Sequence, residues 1–183
     1  MRLLPSHCAL NRLRALLLLL LVCSSGAVAF GANSQGNNSD AGATSNGIAI
    51  TGAVEHPRTL TLADLKREPA ITQAVALKTG HGTLSGSFTG TSLWALLQQA
   101  AIKSVGSRRN DVIRRTITIT GSDGYSTVLS AAEIDPEFGA AQALLAYERD
   151  GKPLTGPGFA RLILPADKSA GRAINGVTSI SVQ

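Results

Sequence analysis

The chain has 183 residues, 19 of them glycine, with two cysteines and a formal charge of +5. That length accommodates one domain with little room for a second, and an apolar content of 44% excludes a wholly disordered chain. Two cysteines exclude a disulfide-dense scaffold and a zinc-finger array.

Residues 1–29 are expected to form a secretory signal peptide. Arg2, Arg12 and Arg14 make a cationic start, Ala15 to Val22 an apolar stretch, and Ala27-Val28-Ala29 a small-residue cleavage site. The apolar run falls short of the roughly 20 residues that span a bilayer. Lipid anchoring at Cys23 is the alternative, and Val22 is too large for the position before a lipidated cysteine. Cleavage after Ala29 removes both cysteines and three arginines. The mature chain then balances 14 basic against 12 acidic residues, so it carries no charge footprint for nucleic acid. The expected destination is the periplasm or the medium. Arg12-Leu13-Arg14 is no twin-arginine pair, so a ligand is expected to be acquired after export.

Residues 30–47 are rich in Gly, Ser and Asn and read as a flexible linker. The domain is expected over 48–183. Ile48, Ile50 and Val54 mark a first strand closed by His56-Pro57. Thr61 with Asp64 is positioned to cap a short helix over 62–67, which Pro69 stops. Residues 71–78 read as a strand, and 79–87 as a glycine-rich loop. Leu93, Leu96, Leu97 and Ala100 recur on one face of a helix begun by Thr91 or Ser92. Residues 115–120 alternate as a half-buried strand, and Asp123-Gly124 turns it into a hairpin over 125–129. Ser130 and Glu133 form a capping box for a short helix ending at Pro136. Further strands are expected over 143–148, 161–164 and 176–182, with a turn at Asp150-Gly151. Six or seven strands with few short helices predict an α+β domain.

No dinucleotide loop, phosphate-cradling lysine loop or nucleophile elbow is present. After cleavage two histidines remain, His56 and His81, with no cysteine, which is too sparse for a tight metal site. His81 and Trp94 are candidates by their place in and after the glycine loop, each set against an ordinary reading as loop residue and core residue. Arg108, Arg109, Arg114 and Arg115 read as a solvated group. Lys78, Arg161, Lys168 and Arg172 fall at or beside strand ends, where together they suit an anion or the polar edge of a flat heterocycle.

Five segments in order resemble the molybdopterin-binding domain of the sulfite oxidase family. They are ITGAVEHPRTLTLADLKREP, FTGTSLWALLQQAAI, ITGSDGYSTVLSAAEI, LLAYERDGKPL and GFARLILPADKSAGRAINGVTSISV. The resemblance implies the unusual mixed α+β fold of that family. It also implies a molybdenum pterin cofactor, held in the family's oxidoreductases by a cysteine after the strand matching 71–78. Here Lys78-Thr79-Gly80-His81 occupies that region, and Ala160 stands where a proline commonly precedes the arginine. Both the missing thiolate and the signal type argue against a working molybdenum enzyme.

The expectation is therefore an exported, non-catalytic domain that binds a pterin or molybdopterin-like ligand. As the resemblance to small cysteine-less relatives implies, it would report to a membrane signalling protein. Trp94, Tyr125 and Phe159 are the candidate stacking rings. Lys78, Thr79, His81, Arg161 and Arg172 are the candidate partners of the ring edge or a phosphate tail. The alternatives are a molybdopterin-dependent oxidoreductase and a protein-interaction domain with a degenerate pocket.

Overall fold

The computed structural model describes residues 47–104, 106–138 and 142–183. The expected signal peptide, and all of the expected linker except Gly47, lie outside the described residues.

Ten strands and three short α-helices are built from this stretch. β1 (Ile48–Gly52), β2 (Arg58–Leu60) and α1 (Leu62–Arg67) come first, followed by β3 (Ile71–Thr79), β4 (Gly82–Ser92) and α2 (Leu93–Ala100). β5 (Thr116–Gly121), β6 (Ser126–Ser130) and α3 (Ala131–Ile134) form the middle. β7 (Leu144–Arg149), β8 (Lys152–Pro153), β9 (Arg161–Ile163) and β10 (Val177–Val182) complete the chain. One five-stranded sheet runs β2-β1-β10-β5-β6, and β1 pairs in parallel with β10, Ile50 opposite Ile180. The other sheet runs β3-β4-β7-β8, and β9 also pairs with β7.

Alternation explains the first sheet. Ile117 and Ile119 on β5 and Ile180 and Val182 on β10 are buried in the main core, joined there by Leu93, Leu96, Leu97 and Ala100 of α2. β7 does not alternate, because it is buried on both faces. Leu145 and Tyr147 enter the main core, while Leu144 and Ala146 enter a second cluster with Val75, Leu77, Phe88 and Ile163. The helix starts follow their caps. Thr61 Oγ1 accepts from the Asp64 amide at 3.3 Å, and Asp64 Oδ2 accepts from the Thr61 amide at 2.8 Å, so both halves of that capping box form. Ser92 Oγ accepts from the Ala95 amide and opens α2.

Three expectations are corrected. Residues 79–87 are not a loop: only Gly80 and His81 turn the chain, and β4 pairs with β3 along its length from Thr79↔Gly82 to Ile71↔Gly90. The small residues that suggest a loop are what the sheet requires. A Cβ on Gly90 would stand 2.2 Å from the Leu145 carbonyl oxygen and 2.5 Å from Ala146 Cα, so only glycine lets β7 close on β4 there. Ser130 accepts from the Glu133 amide at 3.2 Å, but the Glu133 carboxylate turns to Arg172 instead of completing a box. Arg115 is not simply solvated: it reaches Asp111 Oδ2 at 2.9 Å and the Lys103 carbonyl at 2.9 Å.

Candidate functional site

Two clefts open where the second sheet meets the turn into β10, with volumes of about 430 and 390 Å³. Arg161 and Asn175 line both. The larger cleft is bounded by the β7–β9 connection, including Arg149, Lys152 and Leu154. The smaller one is bounded by Lys78, Thr79 and Leu84 on one side and by Ser169, Ala170 and Ala173 on the other.

Arg161 is set by β9, whose pairing places it opposite Ala146. Its side chain is half-buried, and burial, followed by the nearby Arg149 charge, pushes its guanidinium below the ordinary arginine value. No carboxylate among the described residues pairs with it. A desolvated cation without a counter-ion is costly unless something anionic completes it. Around it the clefts carry Lys78, Arg149 and Lys152 against one acid, Asp150, which lies 3.5 Å from Arg149 Nε. The electrostatic balance favours an anion.

The wall formed by residues 168–173 is tied down at several points. The Lys78 amide donates to the Lys168 carbonyl at 3.0 Å, and Ser169 Oγ donates to the Lys78 carbonyl at 3.4 Å. Tyr125 Oη donates to the Gly171 carbonyl at 2.7 Å. Arg172 donates to Asp167 Oδ1 at 2.6 Å and Oδ2 at 3.0 Å, and to Glu133 Oε1 at 2.6 Å. These hydrogen bonds raise its guanidinium above the ordinary value. The opposite wall folds around Gly176, which has φ +54°. Its absent Cβ would lie 2.5 Å from the Pro157 carbonyl oxygen.

Of the eight residues expected from sequence, Lys78, Thr79 and Arg161 line the clefts. Tyr125 is half-exposed and buttresses the wall through Gly171 without lining either cleft. The other four do not line either cleft. Trp94 is buried in the main core, as the spacing of its helix also allowed. Phe159 packs against that same core, while its neighbours Gly158 and Ala160 line the larger cleft. His81 sits exposed at the β3–β4 turn, its amide held by Thr79 Oγ1. Arg172 spends its guanidinium on Glu133 and Asp167 and lines neither cleft. Neither cleft is lined by an aromatic ring.

Sequence reasoning missed Asn175, Arg149 and Lys152. The run of turn formers from Asp150 to Gly158 was the available signal, since a loop so rich in Gly and Pro between two buried strands forms a rim.

The description "Oxidoreductase molybdopterin binding domain" matches residues 36–182. Among solved structures, the chain is similar to the sulfane dehydrogenase SoxCD from Paracoccus pantotrophus, with a TM-score of 0.63 at 18% identity. The likeness covers 76% of this chain and 39% of that one, so the chain spans well under half the length of that neighbour. No curated protein matches. The ordered segments, the paired mixed sheets and the family match agree: the chain has the α+β sulfite oxidase-type fold and belongs to the oxidoreductase molybdopterin-binding domain family.

Proposed function

We infer that this domain binds a pterin or molybdopterin-like ligand with an anionic tail, without turning it over, and that it does so after export. The observation that carries the reading is Arg161: a half-buried guanidinium with no counter-ion among the described residues, lining two basic clefts in a molybdopterin-binding domain family. Arg161 and Lys78 are the groups for the tail. Thr79, Ser169 and Asn175 are the groups for the polar edge of the heterocycle, and Leu84, Ala170 and Ala173 give its faces apolar contact.

The family's cofactor is tested by the donors present. Its pterin and phosphate portions suit the cleft. A thiolate for the metal does not exist here: residues 24–183 contain no cysteine, and Gly80 and His81 form the turn after β3. Among the described residues no three His, Cys, Asp or Glu side chains gather at one point. The chain's own groups therefore bind and orient the ligand. A sensor role beside a membrane signalling protein follows as the proposed purpose of such binding. A second reading, a molybdopterin-dependent oxidoreductase, is favoured by family membership itself.

The test is isolation of the protein from the organism that makes it, followed by denaturation, fluorescence and elemental analysis of what is released. A pterin fluorophore without molybdenum is the expected result. Near-stoichiometric molybdenum would establish the oxidoreductase reading. Silence, followed by failed titration with free pterins, would leave the interaction-domain reading and sink the binding one.

A further inference from the structure

We propose that β6 is a self-association edge: two copies of this chain pair through it in antiparallel fashion, about a two-fold axis at Val128. The inference stands apart from the pterin-binding reading, since no residue of β6 lines either cleft.

β6 is the last strand in the order of the first sheet, beside β5. Its bonding parity is fixed at both ends. The Gly121 amide donates to the Tyr125 carbonyl at 2.9 Å, and the Ala131 amide to the Arg115 carbonyl at 2.8 Å. Bonded pairs recur at every second residue of an antiparallel ladder, so Thr127 and Leu129 turn their backbone groups to β5. Ser126, Val128 and Ser130 turn theirs away from it. Such an edge is a template for another strand, and proteins ordinarily blunt it. The other edges here are blunted. β2 has three residues, follows Pro57 and carries Arg58. β8 is Lys152-Pro153, and β9 is covered at Leu162 by Ile174. β3 exposes only the small residues Thr72, Ala74 and Ala76 before Lys78 bridges to Ser169. β6 has no charge, no proline and no bulge.

This edge also carries apolar surface. Among the described residues only three large hydrophobic ones are more than half exposed, Tyr125, Val128 and Phe138. Val128, 56% exposed, is the middle residue of β6, and Tyr125 directly precedes the strand. Exposed apolar groups on an unprotected edge mark an interaction site.

Symmetry argues for a second copy as the occupant. The three residues turned outward read Ser-Val-Ser, the same in both directions. A two-fold axis requires such a self-complementary patch. Set antiparallel about Val128, the strands place Val128 of one copy opposite Val128 of the other, and Ser126 opposite Ser130. Each Val128 amide then donates to the other copy's Val128 carbonyl, and the two valine side chains face each other. No like charges oppose along the strand, because it carries none. The acids nearest its ends, Asp123 and Glu133, are engaged by the Tyr125 amide and by Arg172. Five residues extend about 17 Å, a smaller contact than stable complexes bury. The dimer is therefore weak, with a Kd on the order of 100 μM.

The experiment is sedimentation velocity on the protein purified from the organism that makes it, between about 1 and about 500 μM, with amide exchange measured at both concentrations. Monomer is expected at the low end and mostly dimer at the high end. The Val128 amide should exchange at least about threefold more slowly at high concentration, while the Thr127 amide, already bonded to β5, should not change. Val128→Lys sets two ammonium groups against each other, and Val128→Glu two carboxylates. Each variant, made in the same organism, should stay monomeric and melt close to the parent, since position 128 is exposed. An equimolar mixture of the two should associate again, because a two-fold axis at 128 sets ammonium against carboxylate. A parent protein that is still monomeric at about 500 μM overturns the proposal. So does a Val128→Lys variant that still dimerises, which places the contact elsewhere, or a mixture that stays monomeric, which refutes the register. If the variants do not fold, exchange in the parent decides: a Val128 amide that slows no more than that of Thr127 overturns the edge.

Discussion

Arg172 Nη1 lies 2.6 Å from Glu133 Oε1, although 39 residues separate them, and its Nη2 lies 2.6 Å from Asp167 Oδ1. One guanidinium thus ties α3 to the loop before the cleft wall. A residue that reads from sequence as a ligand contact has its guanidinium bound to two carboxylates of the fold. Arg172→Ala should lower stability by about 1 kcal/mol, since these partners are partly solvated. It should weaken pterin binding by freeing the wall. Arg172→Lys should recover stability only in part, because an ammonium cannot span both carboxylates. Thermal melts with titration of each variant check this; an Arg172→Ala protein of unchanged melting temperature would contradict the clamp.

Arg161 should behave in the opposite way. Its half-buried charge gains nothing from the fold itself, so Arg161→Met should melt at the same temperature as the parent or higher. The same change should reduce affinity for a phosphorylated pterin by at least about tenfold. A fall in both quantities together would mean that Arg161 supports the structure and not the ligand.

Trp94 is a core residue, and its two substitutions separate stability from binding. Trp94→Ala should destabilise the domain by about 3–5 kcal/mol through the cavity it leaves. Trp94→Phe should retain ligand affinity within about twofold, because the ring touches no cleft. A selective loss of binding in a well-folded Trp94→Phe protein would return the ring to the site.

Gly176→Ala joins two penalties, a left-handed backbone and a Cβ pressed against the Pro157 carbonyl oxygen at 2.5 Å. Gly151 also has a positive φ, of +72°, but nothing lies within 4 Å of its Cβ position. Gly151→Ala should cost about 1 kcal/mol and Gly176→Ala clearly more. Denaturant titration of the pair measures the difference, and equal costs would show that the Pro157 loop simply moves away.

Asp64 predicts an acid-sensitive helix. Hydrogen bonds from the Thr61 hydroxyl and amide hold its carboxyl below the ordinary value of 3.8, helped by Arg67 and Arg58. A lowered folded-state pKa stabilises the fold fully above the unfolded value, and the contribution disappears as pH falls through the folded one. Faster amide exchange across α1 is therefore expected only below about pH 3.8, and Asp64→Asn should abolish that dependence. An α1 that frays equally at every pH would remove the carboxylate from the account.

Local chemistry made much of this fold legible. Thr61 and Asp64 start a helix because an oxygen three residues from an orphan amide caps it in almost any context. Ile117 and Ile119 reveal a strand because alternation reflects one wet and one dry face. The order of five segments carried the family. The long strand β4 was hidden because its Gly, Ser and Thr residues resemble a loop, and only the approach of Leu145 and Ala146 shows why Gly90 must lack a side chain. The site divided in the same way. Lys78 and Arg161 could be suspected one by one as cations at strand ends. That Arg161 has no counter-ion among the described residues while Arg172 has two was decided by the tertiary fold, since a charge acquires its role from groups brought near it in space. Sequence by itself determined which elements form and which charges exist. Only packing decided which charges are already answered and which remain open to a ligand.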